Sequence, residues 1–242
     1  MKVFQLLGLL LISGTLLSHC STQTDFIVHS DGSGEASLRV ELSPILLRYY
    51  SDLAVGFLPN FDPKHPRIFD LDALRLRFAQ EKNLSLTSAR TPSPERLEAT
   101  FTFKNLETLF ADPKVGNVIF LERKAHEETL RIRINRDTLK SIFALTPDNQ
   151  SPMFRMLLPL ENKPISEGEY RKQLVWALEE YASEQELNAT LQHSKIEVRI
   201  RTPAPILSQR GGVQEGPSTV RFTLPLLTLL TTPLEYELSY QR

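Results

Sequence analysis

Apolar and polar positions along this chain fall into three patterns. The first is nearly unbroken: Val3 to Ile12 reads Val-Phe-Gln-Leu-Leu-Gly-Leu-Leu-Leu-Ile, behind Met1-Lys2. The second alternates with a period of two, the mark of half-buried strands. The third repeats near 3.6 residues, the mark of amphipathic helices.

The alternating stretches pair up. Residues 25–30 and 35–42 predict a hairpin across Asp31-Gly32-Ser33-Gly34, where glycine accepts positive φ. Residues 83–91 and 96–105 predict a second hairpin across Pro92-Ser93-Pro94-Glu95. Residues 118–124 and 129–135 predict a third, with Leu130, Ile132 and Ile134 inward and Arg131 and Arg133 outward. Residues 195–202 predict a strand in which Ile196, Val198 and Ile200 alternate with Glu197, Arg199 and Arg201. Strands at 219–224 and 234–240 close the chain, and 203–217 is expected to be loop. Helices are expected over 44–58, 70–82, 106–111, 137–145, 166–182 and 184–192, and Ser166 with Glu169 spells a capping box.

Hairpins dominate and regular βαβ repeats are missing. The expected fold is therefore α+β, a mostly antiparallel sheet built from hairpins with helices packed on one face. A single α+β domain over residues 25–242 is expected, a split near 146–164 being the alternative.

Composition sharpens this. Of 242 residues 41% are hydrophobic and 24% charged, which suits a globular body. The net charge of −1 supplies no field for nucleic acid. Cys20 is the one cysteine, so no disulfide framework exists within the chain. No Gly-x-Ser-x-Gly, Walker loop, His-Glu-x-x-His or dinucleotide fingerprint occurs, and no cofactor is implied. Residues 31–35 have the oxygen ligands of a calcium loop but lack its later bidentate Glu, so a hairpin turn is expected there. His29, His65, His126 and His193 are scattered, and no metal site is expected.

The unbroken apolar run is too short to span a bilayer, which takes about 20 residues. With Lys2 before it and small residues after it, the run has the form of a secretory signal over residues 1–19. Leu17-Ser18-His19-Cys20 resembles the lipobox of bacterial lipoproteins, with His19 standing where that pattern has Gly, Ala or Ser. The resemblance implies cleavage before Cys20, a diacylglycerol on its sulfur and an acyl chain, such as palmitate, on its new amino group. Residues 20–24 would then be a lipidated tether, and the protein would sit on the periplasmic or cell-surface side of an envelope membrane. Simple secretion with Ser21 as the mature start is the other reading.

Three features of the body are candidates for contact with a lipid or an envelope protein. Arg131, Arg133, Arg199 and Arg201 would form one cationic stripe if their strands were neighbours; the alternative is a solvent face balanced by acids such as Glu197. Trp176 lies off the apolar stripe of its helix, beside charged residues, where it meets a partner, the headgroup region or another loop of the chain. Residues 222–230 are the most apolar stretch of the body and fit a lipid-accepting rim or a buried strand and turn.

Residues 25–28, Asp31-Gly32-Ser33-Gly34 and residues 36–42 are similar to the start of the LppM-like group of bacterial lipoproteins. That resemblance implies an envelope α+β domain with lipid binding. The expected function is a membrane-anchored, non-catalytic binding module for a lipid or protein partner. A wall- or lipid-directed hydrolase and a subunit of a membrane assembly are the rivals.

Overall fold

The structure is a computed structural model describing residues 21–57, 61, 62, 66, 68–110, 118–139 and 165–242. The expected first hairpin is present as β1 (Ser21–Val28) and β2 (Gly34–Glu41), in register from Ser21 opposite Glu41 to Val28 opposite Gly34. Its turn is fixed by the Asp31 carboxylate, which accepts from the Ser33 N–H at 2.9 Å and the Ser33 hydroxyl at 2.6 Å. Gly32 sits there at φ +83°.

Helix α1 (Pro44–Phe57) starts where the Ser43 hydroxyl accepts from the Leu46 N–H at 3.1 Å. Helix α2 (Leu71–Ala79) is capped by Asp70. Strands β3 (Leu84–Ser93) and β4 (Arg96–Phe103) make the second hairpin, and α3 (Leu106–Phe110) follows. Strands β5 (Ile119–Arg123) and β6 (Glu127–Ile134) make the third. Helices α4 (Glu167–Leu178) and α5 (Glu184–His193) both open with capping boxes, Ser166 with Glu169 and Ser183 with Glu186. Strands β7 (Lys195–Arg201), β8 (Ile206–Arg210), β9 (Gly212–Gly216) and β10 (Thr219–Pro225), helix α6 (Leu226–Thr231) and strand β11 (Leu234–Gln241) complete the described chain.

The fold is α+β, and its strands form two mostly antiparallel sheets. The larger has the order β3-β4-β2-β1-β7-β10-β9, the smaller β5-β6-β11-β8. Among the described strands only the β1–β7 contact is parallel. On the inner face of the larger sheet, Leu38, Phe101, Val198 and Phe222 alternate inward. Helix α2 lays Phe78 on Phe101, ring centroids 5.5 Å apart. The smaller sheet sets Tyr236 against Phe222 at 5.4 Å. The buried residues of both sheets belong to one contiguous cluster.

Two expectations are corrected. Residues 21–24 are not a tether: Ser21 is already paired with Glu41 on one side and Lys195 on the other. Polarity concealed the strand, because the inward positions of this segment are Thr22 and Thr24. Residues 203–217 are not a loop but hold β8 and β9. Each is the edge strand of its sheet and is polar on most positions, so no alternation announced it. Of the two readings of residues 222–230, the buried one is present and the lipid-accepting rim is not: Phe222, Leu224, Leu226, Leu227, Leu229 and Leu230 are buried in β10 and α6. The alternative domain split at 146–164 lies outside the described residues.

Two stability predictions follow from the packing. The Thr22 and Thr24 hydroxyls are buried without a hydrogen-bond partner. Thr22→Val and Thr24→Val should each stabilise the domain by about 1 kcal/mol, read as a higher urea midpoint, because the unpaired hydroxyl's desolvation cost disappears. A Cβ on Gly34 would stand 2.1 Å from the Ile27 carbonyl oxygen and 2.3 Å from Phe103 Cζ, whereas one on Gly216 meets nothing within 4 Å. Gly34→Ala should therefore lose about 1–3 kcal/mol in the same assay, and Gly216→Ala less than about 0.5 kcal/mol.

Candidate functional site

Because side chains alternate across a strand, the larger sheet has a second face, and it is polar. Register arranges its side chains into rows. One row runs Arg90, Glu98, Arg39, Gln23, Glu197 and Thr223. The next runs Ser88, Thr100, Ser37, Asp25, Arg199 and Arg221. Both cross the same six strands.

The first row is a chain of opposite charges. Glu98 gathers three arginines: Arg90 donates to it from Nε at 2.8 Å, Arg96 lies 3.0 Å away and Arg39 3.7 Å. The Arg90 hydrogen bond, with the charges of all three, holds Glu98 below the usual carboxylate range. Burial pushes Glu197 up, but bonds from Lys195 and Gln23 and the Arg221 charge outweigh it and leave its pKa lowered. In the second row Arg199 donates to Glu215 at 2.7 Å and to Asp25 at 3.2 Å. Arg221 donates to the other oxygen of Glu215 at 2.7 Å. The two arginines hold Glu215 ionised.

Between β1 and β3 the two rows enclose a shallow concavity of 350 Å³. Its floor carries Arg39, Arg90, Glu98 and Asp25 with Gln23 and a line of three hydroxyls, Ser37, Ser88 and Thr100. Donors and acceptors are both present and apolar side chains are few. Such a surface suits a polar ligand with charged or hydroxyl groups. Within it the arginines around Glu98 favour the carboxylate as an anion.

The expected contact residues are placed as follows. Arg131 and Arg133 lie on β6 in the smaller sheet, Arg199 and Arg201 on β7 in the larger. The single cationic stripe is therefore not formed: β6 has β5 and β11 as neighbours, β7 has β1 and β10. Arg131 is bonded to Glu237 at 2.8 Å and Glu122 at 2.9 Å. Arg133 pairs with Glu235 at 2.6 Å and rests over the Phe120 ring. Arg201 is exposed at the end of β7. Trp176 is 73% exposed on α4, while Tyr170, Leu174 and Leu178 of that helix are buried. Cys20 and His65 lie outside the described residues.

Among the described residues no group of three or more His, Cys, Asp or Glu is placed to hold a metal ion. His29 contacts Ser33 and His193 contacts the Ala189 carbonyl. The residues that the sequence did not single out are Arg39, Arg90, Glu98 and the three hydroxyls. Their outward placement within each hairpin was readable, but their convergence depends on β2 pairing with β4, which periodicity does not reveal.

No family model and no curated protein matches the chain. Among solved structures, the NMR structure of the folded domain of the Mycobacterium tuberculosis LppM protein is similar at 11% identity. It covers 93% of this chain and 91% of that one with a TM-score of 0.41. A likeness of that size carries no functional inference.

The ion pairs of the two sheets predict an acid limb of stability. Glu98, Glu197, Glu215 and Glu237 have lowered pKa values in the folded state. Their contribution is complete above the unfolded Glu value of about 4.3 and is lost as pH falls from there through the lower folded values. The melting temperature should therefore fall on acidification below about pH 4.3. Glu98→Gln should melt below the wild type at pH 7 and converge on it near pH 2, followed by circular dichroism. Parallel curves at all pH values would contradict this assignment.

Proposed function

We propose that this chain is an envelope lipoprotein, tied to a membrane through acylated Cys20. Its domain is a non-catalytic binding module for a lipid or protein partner. The observation that carries the binding half is the polar face of the larger sheet, with its 350 Å³ concavity and its line of hydroxyls flanked by Arg39 and Arg90. The anchor half rests on the apolar run, Lys2 and the Leu17–Cys20 pattern. Acyl burial is worth about 0.8 kcal/mol per methylene, so one chain binds reversibly and two hold stably.

A hydrolase would want a carboxyl group tuned upward as a general acid. Every carboxylate with a resolved shift among the described residues is lowered instead, including Asp31, Glu169 and Glu186 in turns and caps. A subunit of a membrane assembly is the second reading. It is favoured by Trp176, the one tryptophan of the chain, which is held out from an amphipathic helix.

Expression of the full chain in a bacterial host fed a clickable fatty acid tests the anchor. The wild type should take the label and sediment with membranes, and Cys20→Ser should do neither. Native mass spectrometry of the detergent-extracted wild type should then show a bound lipid or protein. That adduct should weaken about tenfold, or about 1.4 kcal/mol, in Arg39→Glu/Arg90→Glu. An acylated protein that is always free of adduct would overturn the binding role.

A further inference from the structure

One end of the larger sheet is cut square. Strand β3 ends at Ser93, β4 begins at Arg96, β2 ends at Glu41, β1 begins at Ser21, β7 begins at Lys195 and β10 ends at Pro225. Register puts these six residues in a single row, each opposite the next. Six strands therefore stop on one line, at the end of the sheet where β1 starts.

The same end is short of exposed backbone donors. Pro44, Pro92, Pro94 and Pro225 close it, all four exposed and all lacking an N–H. The Leu42 N–H is already given to the Glu95 carbonyl, and the Leu226 N–H to the Ser194 carbonyl, each at 2.9 Å. These prolines and committed N–H groups leave fewer backbone donors to strand when the end meets another surface. Arg96 and Lys195 are partly exposed there, each paired back along the sheet with Glu98 and Glu197, and exposed Glu41 shares their row; phosphate oxygens would compete with the two carboxylates for these cations.

The remaining constraint is covalent. In the sequence Cys20 immediately precedes Ser21, and a trans peptide spans about 3.8 Å between Cα atoms. Ser21 is locked in the sheet on both sides. An acyl-bearing sulfur on Cys20 would thus have no slack between it and the square end.

We propose that the anchored protein stands on its membrane with this end pressed to the phospholipid headgroups and its strands upright. The proposal rests on the acylation of Cys20 put forward above. In this pose the two polar rows lie two and four residues up from the end, about 7 and 13 Å above the headgroup contact at about 3.3 Å per residue. The opposite end, at the Val28–Gly34 turn, stands seven residues up, about 23 Å away.

The test uses the acylated full chain in phosphatidylcholine–phosphatidylglycerol vesicles carrying a headgroup-linked quencher. Acylated Cys20 does not react with thiol dyes, so Thr91→Cys near the square end and Ser30→Cys at the far turn can each be labelled alone. Quenching should be several-fold stronger at position 91 than at position 30. A ten-residue Ser/Gly linker inserted after Cys20 should abolish the difference. Intact mass comes first: a protein without acyl chains overturns the anchored reading and this pose with it. An acylated protein quenched equally at both positions overturns the pose alone. A difference that survives the linker overturns the short connection as its cause.

Discussion

Strand β1 is held from both sides along nearly its whole length, antiparallel to β2 and parallel to β7. The rest of the larger sheet depends on this. The first partner is a few residues away across a turn, so its closure entropy is small. The second lies about 170 residues further along the chain, as the 174-residue separation between Gln23 and Glu197 shows. Parallel pairing always needs a crossover, and here the crossover contains the second and third hairpins and α1 to α5. Pairing so distant in sequence is slow to form. The inward faces of β1 and β7 then bring Phe26, Val28, Val198 and Ile200 into the core, and burial of about 25 cal/mol per Å² of apolar area offsets the closure. Thr22 and Thr24 interrupt that apolar face with hydroxyls that find no partner. The segment stays in the sheet because its backbone is paired on both sides.

One of the passages between the two sheets is a kinked ribbon. Strands β8 and β9 are separated only by Gly211, which sits at φ +83°. The first pairs with β11 in the smaller sheet, the second with β10 in the larger. A Cβ on Gly211 would approach Tyr236 Cδ1 to 2.7 Å, and one on Gly212 would meet Phe222 and Val220 at 2.8 Å. Tyr236 and Phe222 are the rings that close the core between the sheets, and the Tyr236 hydroxyl donates to the Thr223 carbonyl at 3.2 Å. Close passage of the ribbon over these rings is what demands the two glycines. Helix α6 carries another passage, its four leucines buried where the chain leaves β10 for β11.

Much of this was legible because hairpins declare themselves locally. The Asp31-Gly32-Ser33-Gly34 turn, the Ser166 capping box and the alternation of Ile196, Val198 and Ile200 are all contained in a few residues, and the structure has each of them. What was not legible is long-range. Nothing in the alternation of β6 and β7 says that they belong to different sheets, so alternation alone could not choose between a shared arginine stripe and separate faces balanced by acids. Nothing in Arg39, Arg90 and Arg96 taken singly says that they meet on Glu98. Strands β8 and β9 escaped for another reason: short and polar on most positions, they have the composition of a loop, whereas the edge strands β3 and β5 were each read as half of a hairpin.

Anchoring changes what such a polar face needs in order to bind. Exposed ion pairs and hydroxyls contribute little each, roughly 0–1 kcal/mol, so the concavity between β1 and β3 would hold a ligand from bulk solution only weakly. A domain tied by a short link to the surface that carries its ligand meets that ligand at an effective concentration of about millimolar, without a new contact. Weak, reversible and charge-reading contacts then suffice, and ionic strength tunes them. The square end and the short connection at Cys20 would bring rows of this kind within reach of groups projecting from a bilayer. A long flexible tether would dilute the same rows through a much larger volume. With Cys20 acylated as proposed, the placement of Ser21 inside the sheet would set the height at which the polar face operates.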